Sequence, residues 1–153
     1  MRLLIALLIV VCITGCTGFW DWVGRGELAR DVGQLFKQQG VDVKLECHML
    51  DASRTGVCTS RILPEAVISL VKGFVLREAT SKKDLLDILD WEIAAGGCRS
   101  MENWSDSTPV KVYRSERRAV QLSFGDGVAF EYLLLRYRPD TGDLCTQVSY
   151  AYG

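Results

Sequence analysis

The sequence predicts an α+β fold in which about three helices pack on one face of an antiparallel sheet, with an early hairpin, a C-terminal four-strand meander and two disulfides. Three observations carry this prediction. Apolar residues recur at helical spacing through much of the first hundred positions, while β-rich segments separated by turn signals fill the last forty-five. Helices grouped before hairpin strands favour segregated layers over a βαβ alternation. The third observation is an even set of four cysteines, Cys47, Cys58, Cys98 and Cys145, spread along these segments.

The elements follow in chain order. Leu28, Val32, Leu35 and Phe36 form one apolar stripe over Glu27 to Gln39, and Gly40 stops the helix. Val41, Val43, Leu45, Cys47 and Met49 then alternate with Asp42, Lys44, Glu46 and His48, the period of a half-buried strand. After the turn-rich stretch from Asp51 to Gly56, Val57 to Ile62 returns as its hairpin partner. Pro64 suits the first turn of a second helix, expected to run to Ala79. Val67, Ile68, Leu70, Val71, Phe74 and Val75 make it apolar over most of its circumference, so it is expected to be central.

Ser81 with Asp84 three residues on resembles a capping box with Asp in place of Glu. The helix it opens would bury Leu85, Ile88, Leu89 and Ile93 and stop at Gly96 and Gly97. Turn signals at Ser115 to Arg117, Gly125 to Gly127 and Pro139 to Asp143 divide the remainder. The segments between them, 110–114, 119–124, 128–138 and 144–151, read as the meander.

The first sixteen residues carry a separate message. Arg2 is followed by Leu3 to Ile13, an apolar run with no charge, too short for the roughly 20 residues a permanent span needs. The run closes in Ile13-Thr14-Gly15-Cys16, which resembles the lipobox of bacterial lipoproteins. That resemblance covers the signal segment alone and implies cleavage of residues 1–15, a diacylglyceryl group on the Cys16 thiol and anchoring to a membrane. Acyl anchoring is stable with two or more chains and marginal with one. Thr17 in place of Asp after the cysteine implies delivery to the outer membrane of a host that has two.

Residues 16–25 would then be a tether of at most about 35 Å. Phe19, Trp20 and Trp22 in it are candidate membrane-interface residues, because aromatic rings are favoured at headgroup depth. Residues 26–153 suit a single α+β domain.

Loss of residues 1–15 removes Arg2 alone among the charged side chains, leaving 17 basic against 19 acidic ones, a net charge of −2. Nothing in that balance recruits nucleic acid or anionic lipid. Arg114, Arg117 and Arg118, and again Arg136 and Arg138, could meet on adjacent strands, though Glu116, Asp140 and Asp143 lie nearby to neutralise them.

An oxidising compartment makes two disulfides the economical use of the four remaining cysteines. Four cysteines allow three pairings. Cys47 and Cys58 face each other across a short hairpin, which favours that pair and leaves Cys98 with Cys145. No Cys-x-x-Cys occurs and His48 is the only histidine, so neither a zinc site nor a cofactor is expected.

The catalytic templates give little. A nucleophile needs a base, and the single imidazole falls on the polar face of a strand. No Gly-x-Ser-x-Gly elbow, phosphate-cradling loop or His-Glu-x-x-His is present. Asp84, Asp87, Asp90 and Glu92 lie along an outer helix face, and Asp126 falls in a turn. Glu131 alternates onto an otherwise apolar strand, where burial would make it a candidate hydrolase carboxylate. The expected function is a non-enzymatic envelope module that binds another envelope protein. Alternatives are a small-molecule or lipid carrier, in which Phe130 to Leu135 and the second helix line a cavity, and a cell-wall hydrolase.

Overall fold

The computed structural model describes residues 26–50, 55–84, 88, 98, 110–116 and 130–150. Helix α1 occupies residues 26–38, and Leu28, Val32, Leu35 and Phe36, the stripe read from the sequence, are all fully buried. Gly40 ends it at φ 74°, with its N–H donating to the Lys37 carbonyl at 2.9 Å and that of Val41 to Phe36 at 3.0 Å. This left-handed cap satisfies two of the carbonyls that every helix end leaves open.

Strand β1 is Glu46–Leu50, shorter than the alternation from Val41 suggests. Val41 is buried in the main core, with Val43 and Leu45 packed partly buried against it, so the apolar half of that alternation serves packing without a ladder. β2, Thr55–Arg61, pairs antiparallel with β1 and sets Cys47 directly opposite Cys58.

Helix α2, Pro64–Gly73, begins with proline at its first turn, and Ile62 and Val67 on either side of that turn are both buried, the arrangement of a hydrophobic staple. The helix was expected to continue to Ala79 and to be central. It does neither. Gly73 is its last residue, Val75 takes φ 52°, and the Leu76 N–H closes the end on the Val71 carbonyl at 2.9 Å. Val67 and Leu70 are its only buried residues and Ile68 is 53% exposed, so α2 lies at the surface. The reason for the early stop follows at once: Arg77–Glu78 form strand β3, which an extended helix would consume.

Lys82, Lys83, Asp84 and Ile88 are helical, and Ile88 is buried. Leu85, Leu89 and Ile93 lie outside the described residues. β4 (Lys111–Arg114), β5 (Phe130–Tyr137) and β6 (Asp143–Tyr150) complete a six-stranded antiparallel sheet of order β1-β2-β6-β5-β4-β3. The early hairpin therefore joins the main sheet through β2 and β6. The four-strand meander needs correction: β4 pairs directly with β5, Tyr113 opposite Leu135, and the expected strand at 119–124 lies outside the described residues. Ser115 extends that pairing, donating from its N–H to the Leu133 carbonyl and accepting the Leu133 N–H on Oγ, both at 2.9 Å. β5 turns into β6 through Gly142 at φ 75°, whose carbonyl accepts from Ile62.

Side chains alternate across a strand, yet Leu144, Cys145, Thr146, Gln147 and Val148 in β6 are all fully buried. Both faces of β6 are therefore buried. A large cluster joins the α1 stripe, Val67 and Leu70 to Cys58, Leu133, Leu135, Leu144 and Val148. On the alternate positions, Ile88 and Ala79 cluster with Val112, Tyr132 and Leu134, and Cys98 with Val57 and Cys145. Two disulfides, Cys47–Cys58 and Cys98–Cys145, join Cα atoms 4.0 and 6.0 Å apart and are the pairs expected. Among the described residues, no helix is long and apolar enough to cross a membrane.

Candidate functional site

A cluster of charged side chains forms where β3 meets β4. Their register sets Arg77 directly opposite Arg114, and like charges so placed repel. Asp84 resolves the conflict. It accepts two hydrogen bonds from Arg77, at 2.9 and 3.3 Å, and a further one from Arg114. Ser81 Oγ donates to the same carboxylate at 2.7 Å and accepts the Asp84 N–H at 3.0 Å. The capping residue read from the sequence is thus present, but the Asp84 carboxylate turns to the two guanidiniums and the Ser81 hydroxyl. Its side chain is 14% exposed and that of Arg114 15%.

These contacts decide what the group can do. The Ser81 hydrogen bond, that from Arg114 and the charges of both arginines hold the Asp84 carboxyl below its ordinary pKa, against the effect of desolvation. It is a fixed anion and has no proton to donate. Desolvation alone would weaken the Arg114 cation, but hydrogen bonds to Asp84 and Tyr132 outweigh it and leave its pKa raised. Two guanidiniums share one carboxylate, so the cluster keeps a net positive charge, and it works as a clamp tying the start of the third helical segment to the sheet edge.

A second polar knot lies at the C-terminal end of β6. Asp31 of α1 is buried, Arg30 reaches it at 3.4 Å, and the Tyr150 ring stacks at a tilt on Phe130, centroids 4.7 Å apart. Burial first, then the negative charges of Asp31 and Glu27, push the Tyr150 phenol far above its usual pKa.

The remaining candidates separate. His48 is exposed on β1, as an outward strand position requires. Glu131 is half-exposed at a bulge between Phe130 and Tyr132, and so lacks the burial that would mark a hydrolase acid. Asp143 pairs with Arg61 at 3.3 Å, and Arg138 is buried beside that turn. Of the expected arginine patch, Arg114 is engaged by Asp84, Arg136 lies on the adjacent β5 and Arg138 just after it, and Arg117 and Arg118 lie outside the described residues. So do Cys16, Phe19, Trp20, Trp22, Asp87, Asp90, Glu92 and Asp126. No group of three or more His, Cys, Asp or Glu side chains capable of holding a metal occurs among the described residues.

Sequence reasoning missed the partnership of Arg77 with Arg114, because residue 77 was assigned to a helix. Gly73 was the available signal, a helix-stopping residue followed by a segment short enough to pair as an edge strand. No family model matches the chain, and no curated protein or solved structure matches it.

Proposed function

We propose that the chain is a lipid-anchored accessory protein of the cell envelope. Residues 1–15 are removed on export, Cys16 carries the lipid, residues 16–25 are the tether, and residues 26–153 form one α+β domain that binds another envelope protein. Within it, α1 and α2 pack on one face of the sheet, and Ala79, Ile88 and Cys98 lie against the other. In a host with two membranes the domain faces the periplasm from the outer membrane. The observation that carries this reading is Ile13-Thr14-Gly15-Cys16 closing an uncharged apolar run. Two disulfides suit the oxidising compartment that export would reach. The Asp84 carboxylate, held ionised by two guanidiniums, suits a structural role better than proton transfer. Crosslinking in the native host followed by affinity capture should recover one specific envelope protein in stoichiometric amount; recovery of none removes the accessory role.

One observation favours a carrier as the second reading. Ser60, Thr146 and Tyr137 bury hydroxyls that have no hydrogen-bond partner among the described residues. Ser60 and Tyr137 flank Leu144 in the register, and Thr146 is two residues along β6 from it, so all three project toward the larger apolar cluster. Buried hydroxyls of this kind require a partner such as a water or a ligand's polar atom. Native mass spectrometry of the delipidated chain separates the readings, since a carrier retains an apolar ligand with one or two polar groups and an accessory module emerges empty.

A further inference from the structure

The exposed large apolar side chains among the described residues are Leu63, Ile68 and Val75, at 72%, 53% and 86%, and all three belong to α2 or its caps. Single exposed apolar residues are ordinary. Their confinement to one short helix is not, and the two at its ends also contradict local backbone preferences. Leu63 occupies the N-cap and makes no capping hydrogen bond, where Ser, Thr, Asp or Asn would satisfy an open N–H. Val75 holds the left-handed position after the helix at φ 52°, where glycine is unstrained and a β-branched residue is an outlier. At both ends, a polar or smaller residue would give a more stable helix and a better-solvated surface. Conflicts of this kind persist where the side chain has a use outside the fold.

We propose that α2 and its caps rest on the headgroup region of the bilayer to which the chain is anchored, an inference that rests on the lipid-anchor reading. Charge favours lipid as the occupant. Although the mature chain is slightly acidic, the exposed cation Lys72 lies between Ile68 and Val75 on α2 and its C-terminal cap, with Glu65 the helix's one acidic side chain, at the opposite end. Lysines beside apolar side chains suit the boundary between acyl chains and anionic headgroups. Reach favours it as well. Thirteen helical residues make α1 about 20 Å long, and Gln39 beyond its far end packs on Gly73 of α2. A tether of up to about 35 Å leaves that end able to touch the same membrane.

The test uses the mature chain with Cys16→Ser, sedimented with vesicles of phosphatidylethanolamine and phosphatidylglycerol. Partitioning should fall about tenfold when Leu63→Ser and Val75→Gly are combined, while the Tm of the same variant rises above that of its parent. A loss of partitioning with a raised Tm cannot come from misfolding. Equal partitioning of the two chains, a lowered Tm, or protection of α2 amides that requires an added protein overturns the proposal. Because this chain bears no acyl group, the result does not depend on lipidation of Cys16, which the intact mass of the wild-type protein reads separately.

Discussion

Removing the long-range disulfide is the perturbation whose cost the structure sets most clearly. Cys98 and Cys145 are 47 residues apart in sequence, and both are fully buried beside Val57. Constraining an unfolded loop of that size makes the bridge worth about 4 kcal/mol by chain entropy, against about 3 kcal/mol for the 11-residue loop between Cys47 and Cys58. Alanine is the appropriate replacement, because serine would bury two hydroxyls as well. For a domain with a total stability of roughly 5–15 kcal/mol, either loss is large. With a urea m-value of about 2 kcal/mol/M, Cys98→Ala with Cys145→Ala should lower the unfolding midpoint by roughly 2 M, and Cys47→Ala with Cys58→Ala by about 1.5 M. The backbone hydrogen bond from Cys98 to Gln147 Oε1, at 3.3 Å, survives the change and holds the loop only weakly. Equilibrium unfolding of the two double variants under non-reducing conditions is the assay. A larger loss from the hairpin bridge than from the long-range bridge would refute the loop-length reasoning.

Three further outcomes follow from the same packing and charges. Asp84→Asn should destabilise the protein at neutral pH. Because the folded-state pKa of Asp84 lies below its ordinary value of 3.8, its stabilisation is complete above that value and is lost as pH falls below it. Denaturation midpoints of the two proteins should therefore converge in acid, and a constant gap down to the lowest accessible pH would count against the clamp. Gly56→Ala places a methyl 2.5 Å from Leu28 Cδ2 in the closed core and should cost about 1–3 kcal/mol in chemical denaturation; an unchanged midpoint would mean that α1 does not bear on β2 as described. Tyr150→Phe should flatten the loss of stability above pH 10, since the half-buried phenol beside Asp31 resists ionisation and the unfolded one does not. An identical alkaline profile in the variant would dismiss Tyr150 as the source.

Local patterns carried much of the fold. The α1 stripe, its glycine stop and the hairpin that pairs Cys47 with Cys58 were legible because each depends on a few neighbouring residues. Three features were not. The strand signal at Val41 to Leu45 has the right period, but those side chains pack against the core, and periodicity alone cannot tell a ladder from a packed extended segment. α2 was assigned a central place from its apolar circumference, whereas Ile68 and Val75 are exposed. The pairing of β4 with β5 skips the intervening chain, a choice made by contacts distant in sequence. At the β3–β4 clamp the sequence offered Ser81 and Asp84 as a helix start, and their meeting with two arginines needed the sheet order.

Attachment of lipid through Cys16 is the claim on which the rest stands, and metabolic labelling of the producing strain with radioactive palmitate tests it most directly. The wild-type chain should incorporate label and sediment with membranes, and Cys16→Ser should abolish both. Absence of label from the wild-type chain, or label that persists in the variant, would contradict it.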